Sequence, residues 1–177
     1  EWTDLVELLP DTGIQERFLR QLYNAFKYLR RVQVRGCSRA TRSNLITIYD
    51  TLLRKRPVWL FREMLKAGRL YAALIDPEQA FGKWGQETAD ALRDLGHLGA
   101  APGYAFLLWA AQVAVDKNWN QGSTLRRLAQ YQTRWFFWRN LTNVPSTRDL
   151  DPMFIDLIDA LLGSLRKRQI ADEGAFI

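Results

Sequence analysis

The chain has 177 residues, 47% of them hydrophobic, and its 25 basic and 19 acidic side chains give a net charge of +6. This size predicts one compact domain with a well-buried core, because a chain of about 150 residues removes roughly 70% of its surface from water on folding. Cys37 is the only cysteine and His97 the only histidine, which excludes an internal disulfide, a Cys/His zinc site and a two-histidine nuclease centre within this stretch.

Apolar residues recur at spacings of three and four along most of the chain, and this periodicity predicts an all-α, single bundle of about seven helices. The first helix is predicted over residues 14–31, with Asp11 as its N-cap. Ser43 is the expected cap of the second helix. The third helix is predicted to begin at Pro57, since the first helical turn tolerates proline, and to end near residue 76.

Residues 77–86 (PEQAFGKWGQ) contain a proline and two glycines and are predicted to form a connection. A short fourth helix is expected around residues 89–95, ended by the glycine-rich run 96–103. The fifth helix, over 104–115, carries almost no charge and is expected to be buried on most sides.

The sixth helix, expected to be capped by Ser123, contains the aromatic segment RWFFWRN at 134–140. A projection at about 100° per residue places most of its apolar side chains on one half: Leu125, Leu128, Ala129, Tyr131, Trp135, Phe136 and Trp138. We expect these rings to pack in the core, as aromatic residues at helical spacing usually do. Phe137 falls on the polar half and is the ring predicted to be available to another protein or to a base.

Arg139 projects toward the apolar half of the same helix and therefore needs a partner. Asp149 and Asp151 are the predicted partners. The alternative is that the arginine stem packs while its charged head reaches solvent at the helix end. The seventh helix is expected to begin at Asp151-Pro152.

Positive charge is concentrated in the first part of the chain. Residues 1–70 hold 14 basic and 7 acidic side chains, whereas residues 71–122 hold 3 and 6. One segment, RRVQVRGCSRATR at 30–42, contains five arginines and no acid: Arg30, Arg31, Arg35, Arg39 and Arg42. A flexible arginine-rich loop suits contacts with DNA phosphates, without reading sequence. The alternative is that Arg30 and Arg31 complement a helix C-terminus beside a solvated connection.

The motifs of common nucleotide and metal sites are missing from this sequence. It contains no GxxxxGK(S/T) phosphate loop and no GxGxxG after a strand, and its acidic residues are scattered. His97 lies in the glycine-rich turn and is expected to be structural. We therefore expect no catalytic residue, no metal and no cofactor in this stretch.

No apolar run approaches the ~20 residues that a membrane-spanning helix needs, and no signal peptide opens the sequence. We expect a soluble, cytoplasmic protein with no membrane partner. The sequence starts at Glu1 and ends in ADEGAFI without a clear stop. We expect residues 1–177 to form one helical domain that is an internal piece of a longer protein.

Four segments in this order resemble the helical part of the GmrSD-type family of modification-dependent restriction proteins and related phage-defence proteins: FLRQLYNAFKYL, TRSNLITIYDTLLRKRPVWLFREMLKAGRLYAALIDPE, APGYAFLLWA and LAQYQTRWFFWRNLTNVPSTRDLDPMFIDLIDAL. The resemblance covers roughly residues 15–165. It depends on the hydrophobic pattern and on a few residues such as Tyr71, Arg134 and Arg139.

In that family a ParB-like NTPase domain precedes the helices and an HNH nuclease domain follows them. The resemblance therefore implies a parent protein that cleaves modified or foreign DNA with nucleotide hydrolysis. The DGQQR-like nucleotide motif and the HNH histidines have no counterpart in this sequence, so no catalytic residue carries over. The chain is predicted to be a non-catalytic scaffold between these flanking domains that contacts DNA. The alternative is a stand-alone helical protein–protein interaction domain, with Phe137 and the aromatic residues near Trp84 and Trp119 as contacts.

Overall fold

The computed structural model describes residues 2–9 and 11–175, and side chains over 3–9 and 11–164. Glu1 and residues 176–177, which close the ADEGAFI segment, lie outside the described residues. The described part of the chain is all-α, as predicted, with these helices and a 3-10 turn at Ala101–Gly103: α1 (Trp2–Leu8), α2 (Thr12–Phe26), α3 (Leu45–Lys55), α4 (Pro57–Ile75), α5 (Pro77–Trp84), α6 (Gln86–His97), α7 (Tyr104–Asp116), α8 (Gln121–Thr142) and α9 (Thr147–Ala175).

The described residues thus form nine helices, two more than the expected seven. The predicted connection at 77–86 is instead helix α5, where the Asp76 carboxylate accepts a hydrogen bond from the Glu78 amide at 2.9 Å. Pro77 then opens the first turn, in which a proline costs little. Gly82 is exposed, and one exposed glycine costs a helix only about 1 kcal/mol. The second additional helix is α1, whose Leu5 is buried.

The predicted N-cap of α2 is confirmed, because the Asp11 carboxylate accepts from the Ile14 amide at 2.8 Å. The helix begins at Thr12, two residues before the predicted start. The helix ends at Phe26, earlier than predicted. The cap of α8 is Asn120, whose side chain accepts from the Ser123 amide at 2.8 Å. Ser123 is therefore inside the first turn of α8 and is not its cap.

Two further helix starts also differ from the sequence prediction. Helix α3 has Asn44, and not Ser43, at its N-cap position. Helix α9 begins at Thr147, so that Pro152 lies inside the helix and not at its start. Both differences amount to a few residues at helix ends, where local sequence signals compete.

The core is organised around α7, which packs against α2, α4, α8 and α9. Every residue of α7 from Tyr104 to Ala111 is buried, which confirms the predicted burial of this helix. Phe136 of α8 and Phe154 of α9 stack with ring centroids 5.9 Å apart, and Phe106 of α7 lies 6.4 Å from Phe154. None of the described helices combines the length and the apolar character of a membrane-spanning helix.

The aromatic segment of α8 divides between the core and the surface. Phe136 is 1% exposed and Trp135 is half-buried, whereas Phe137 is 50% exposed, as predicted. Trp138 and Tyr131 are 64% and 67% exposed, so their predicted burial is wrong. Helices α5, α6 and α7 contact α8 and cover part of its surface, whereas Phe137 and Trp138 line an open groove beside His97 at the end of α6.

Arg139 is half-buried and engages neutral partners, which differs from the predicted pair with Asp149 or Asp151. Its guanidinium donates to the Pro145 carbonyl at 3.0 Å and to the Thr147 hydroxyl at 2.7 Å. Arg139 therefore ties the end of α8 to the start of α9. The charge stays in reach of solvent, so no buried counter-charge is required.

Candidate nucleic-acid interface

Residues 27–44 connect α2 to α3 and contain all five arginines of the predicted site. We call this segment the arginine loop. Its apolar side chains Val32, Val34 and Ala40 are buried against the core, at 8%, 8% and 3% exposure. Gln33, which lies between the two valines, and Arg35, which follows Val34, are exposed. The backbone thus turns its apolar residues inward and its cations outward.

Two neighbouring side chains of α2 hold this loop in place. The Tyr23 hydroxyl donates to the Cys37 carbonyl at 2.6 Å and accepts from the Val34 amide at 3.4 Å. The Asn24 side chain bonds both backbone groups of Ala40, accepting from its amide at 2.7 Å and donating to its carbonyl at 3.3 Å. Burial raises the pKa of Tyr23. The loop is therefore fixed to α2, in contrast to the expected flexible loop.

Local turns complete the arginine loop near its end. Gly36 has φ of +83°, a left-handed conformation that favours glycine. The Asn44 side chain accepts from the Thr41 amide at 2.7 Å and donates to the Arg39 carbonyl at 3.0 Å. These two hydrogen bonds satisfy backbone groups of the loop without using any of its arginine side chains.

The structure brings Arg30 and Arg35 together in one open groove, of about 970 Å³. Lys27 and Lys55 line the same groove, which we call the loop groove. Arg39 is exposed on the arginine loop itself. Within the part of the chain that the structure describes, no ion pair engages Arg30, Arg35 or Arg39.

The other two predicted arginines are already engaged. The Arg42 Nε donates to both carboxylate oxygens of Glu16, at 3.0 Å each, and this pair lowers the pKa of Glu16. The Arg31 guanidinium lies 4.9 Å from the ring centroid of Trp59 and lines a different cleft. The five arginines are therefore not equivalent, and among the described residues Arg30, Arg35 and Arg39 have no ion-pair partner.

Sequence reasoning missed the two lysines of the loop groove. Lys27 follows the last residue of α2 and Lys55 is the last residue of α3, positions where cations favour a helix C-terminus. Lys27 pairs with Asp159 at 3.3 Å, and Asp159 is the acid among the described groove residues. Arg30 lies four residues beyond the end of α2, outside its last turn, so the alternative interpretation, in which it complements the helix C-terminus, does not fit it.

The described residues contain no group of three or more His, Cys, Asp or Glu side chains arranged to hold a metal ion. His97 is exposed at the end of α6, and Cys37 is half-buried. What the geometry offers is a cationic surface on a loop whose backbone is held by hydrogen bonds, and the chemistry of such a surface is binding to anions.

Comparison of the chain with protein-family models, with curated proteins and with solved structures gives no match. The resemblance to GmrSD-type proteins therefore stays a prediction. The candidate interface rests on its own geometry, which is a hydrogen-bonded loop whose Arg30, Arg35 and Arg39 have no ion pair within the described part of the chain, beside two lysines.

Proposed function

We propose that this chain is a non-catalytic helical module that binds the sugar-phosphate backbone of nucleic acid through the arginine loop. The observation that carries the proposal is the convergence of Arg30 and Arg35 with Lys27 and Lys55 in the loop groove, with Arg39 exposed on the same loop. Each arginine presents a planar fork of donors that suits a phosphate.

The physical basis of binding is the release of counterions from the nucleic acid. For duplex DNA, each phosphate that is neutralised by a cation makes the slope of log K against log salt concentration more negative by about 0.9. Three arginines held on a fixed loop lose less conformational entropy on binding than the same side chains on a mobile segment. No side chain in this arrangement reads a base sequence, so the proposed affinity is for backbone.

The setting we propose is a longer prokaryotic defence protein of the GmrSD type, with an NTPase domain before the helices and a nuclease domain after them. Support comes from the sequence resemblance, from the all-α fold and from the cationic surface. In this setting the helices hold DNA while the flanking domains carry the chemistry.

The test is DNA retention at low salt by the double variant Arg35→Glu, Arg39→Glu. The matched control is Arg127→Glu, Arg148→Glu, which makes the same change of charge at exposed positions outside the arginine loop. We expect the first variant to lose binding and the second to retain most of it. Binding that is equal in both variants would refute the assignment of the arginine loop.

A second candidate function is a helical protein–protein interaction domain, and the exposed rings of α8 favour it. Phe137, Trp138 and Leu141 are exposed by 50%, 64% and 64%. Exposed apolar residues grouped on one surface often mark an interface. Trp119 is 52% exposed, whereas Trp84 is half-buried and donates to Gln121 at 2.7 Å, so Trp84 does not belong to this surface. Salt-dependent DNA binding separates the two candidate functions.

A further inference from the structure

The loop groove is the first of three adjoining depressions. The second, which we call the aromatic cleft, has a volume of about 220 Å³, and Tyr23 and Tyr28 line both. The third, which we call the α4 groove, has a volume of about 360 Å³ and shares Lys66 and Gln112 with the aromatic cleft. Through these shared residues the aromatic cleft is the neighbour of both grooves.

The α4 groove is a second concentration of cations. Arg62, Lys66 and Arg69 follow one another at helical spacing along α4, and Lys83 is contributed by α5. Arg62 and Arg69 are separated by about 10 Å along the helix axis, at 1.5 Å per residue. The described residues that line this groove include no acid, and none of its four cations takes part in an ion pair among the described residues.

The aromatic cleft between the two grooves has a different character. Its walls include the rings of Phe26, Tyr28 and Trp59. Its charges balance, because the cations Arg31 and Lys66 are matched by two acids of the cleft, Glu63 and Asp116. A cleft with aromatic walls and little net charge suits a planar ring better than a phosphate.

From this arrangement we propose that the chain binds single-stranded nucleic acid across the three depressions, with phosphates in the loop groove and the α4 groove and an unpaired base in the aromatic cleft. The proposal rests on the proposed function and specifies its ligand. Proteins that bind single strands combine basic grooves with aromatic rings on which bases stack. Bases within a duplex are stacked and paired, so none of them can enter the cleft without leaving the stack.

Trp59 is the ring placed to stack with the base. It is half-buried in the wall of the cleft, with the Arg31 guanidinium over one of its faces. A base that enters the cleft meets the Trp59 ring or the guanidinium plane, and both surfaces stack with bases of any sequence. Replacement of this ring should therefore act on single strands and leave duplex binding unchanged.

The first test measures fluorescence anisotropy of a labelled strand of about 12 nucleotides, as DNA and as RNA, and of the corresponding duplex. We expect Trp59→Leu to weaken single-strand binding about ten-fold and to leave duplex binding within two-fold of wild type. The matched control is Trp138→Leu, which removes an exposed indole that lines none of the three depressions. Single-strand binding by the control should equal that of wild type.

The second test needs no change in the core and so stays informative if Trp59→Leu folds poorly. The triple variant Arg62→Gln, Arg69→Gln, Lys83→Gln alters exposed side chains only. It should reduce the salt slope of single-strand binding by about 2, at roughly 0.7 per phosphate contact. A triple variant with Arg127, Arg134 and Arg148 changed to Gln is the charge-matched control and should keep the wild-type slope.

The outcomes separate this inference from the proposed function. Wild-type preference for single strands, with losses confined to the Trp59 and α4-groove variants, supports it. The inference is overturned if single strands and duplex bind equally well and neither variant changes this binding. Backbone binding by the arginine loop then stays in place. Failure of wild type to bind any of the three nucleic acids overturns the proposed function as well.

Discussion

The Tyr23 hydroxyl provides the sharpest test of whether the shape of the arginine loop matters for binding. In Tyr23→Phe the Cys37 carbonyl loses its donor, 2.6 Å away, and the Val34 amide loses its acceptor, 3.4 Å away. The ring of Tyr23 is 1% exposed and phenylalanine preserves it, so no cavity forms. The substitution therefore acts on the hydrogen bonds alone.

The same chemistry occurs a second time in the domain and supplies a control. The Tyr49 hydroxyl donates to the Leu19 carbonyl of α2 at 2.7 Å, so this bond holds no backbone group of the arginine loop. Each Tyr→Phe change should lower the free energy of unfolding by about 1–2 kcal/mol, because a part-buried hydrogen bond to a backbone carbonyl is lost. In a domain of this size 1 kcal/mol shifts Tm by about 2–4 °C. Similar losses of stability are expected in the two variants.

The two variants should differ in the arginine loop and in nucleic-acid binding. Tyr23→Phe should speed hydrogen exchange of the Val34 amide beyond the change in global stability, and Tyr49→Phe should not. If ordering of the loop costs about 1 kcal/mol, binding of DNA falls about five-fold in Tyr23→Phe only. Equal DNA affinity in both variants, measured by anisotropy under one salt condition, would refute the idea that a fixed loop presents the arginines.

Three further predictions concern packing, backbone and pH. Phe136 is 1% exposed and Phe137 is 50% exposed. Phe136→Ala should therefore lower the free energy of unfolding by about 3–5 kcal/mol, and Phe137→Ala should lower it by less than about 1 kcal/mol. Equal midpoints of denaturant unfolding in the two variants would contradict this prediction. Gly103→Ala places a Cβ against the buried amide oxygen of Gln132 and should lower the free energy of unfolding by about 1–3 kcal/mol. In α5, the Cβ of Gly82→Ala meets nothing within 4 Å, and this variant should raise the free energy of unfolding by about 0.5–1 kcal/mol. Thermal unfolding measures both changes, and a stabilised Gly103→Ala would show that Gln132 moves freely. Burial raises the pKa of four tyrosines above the ordinary value, so the stability they contribute is present below about pH 10 and is lost as the pH rises toward their folded-state values. In alkali, the tyrosinate absorbance of these four residues should therefore appear together with the loss of helical circular dichroism: Tyr23, Tyr49, Tyr71 and Tyr104. Full tyrosinate absorbance in a protein that is still folded would contradict their burial.

Hydrophobic periodicity was sufficient to predict the all-α fold and the burial of α7. It failed at α5, where Pro77 and Gly82 are typical of a connection. A carboxylate cap from Asp76 and a proline in the first turn start this helix all the same. It also failed for the orientation of α8, because that helix carries apolar residues all around. Which of its rings are buried depends on the positions of α5, α6 and α7, and a single helix does not contain that information.

The density of arginines in the sequence was sufficient to find the five arginines of the candidate site. It did not show which of them already have a partner in the folded protein. Arg42 is compensated by Glu16, which lies 26 residues earlier in the chain. Arg31 is engaged by Trp59 of α4. The packing of the helices brings Lys27 and Lys55 together in the loop groove. It also brings the cations of α4 and α5 together in the α4 groove. Such relationships between distant residues have no local signal that periodicity or spacing detects.

The salt dependence of nucleic-acid binding tests the central claim most directly. The slope of log K against log salt is measured for wild type and for Arg30→Gln, Arg35→Gln, Arg39→Gln with one duplex of DNA. The fixed arginine loop predicts that the triple variant loses about 2–3 from the magnitude of the slope, at roughly 0.9 for each lost phosphate contact. An unchanged slope would show that nucleic acid binds elsewhere, and no measurable binding by wild type at low salt would contradict the function itself.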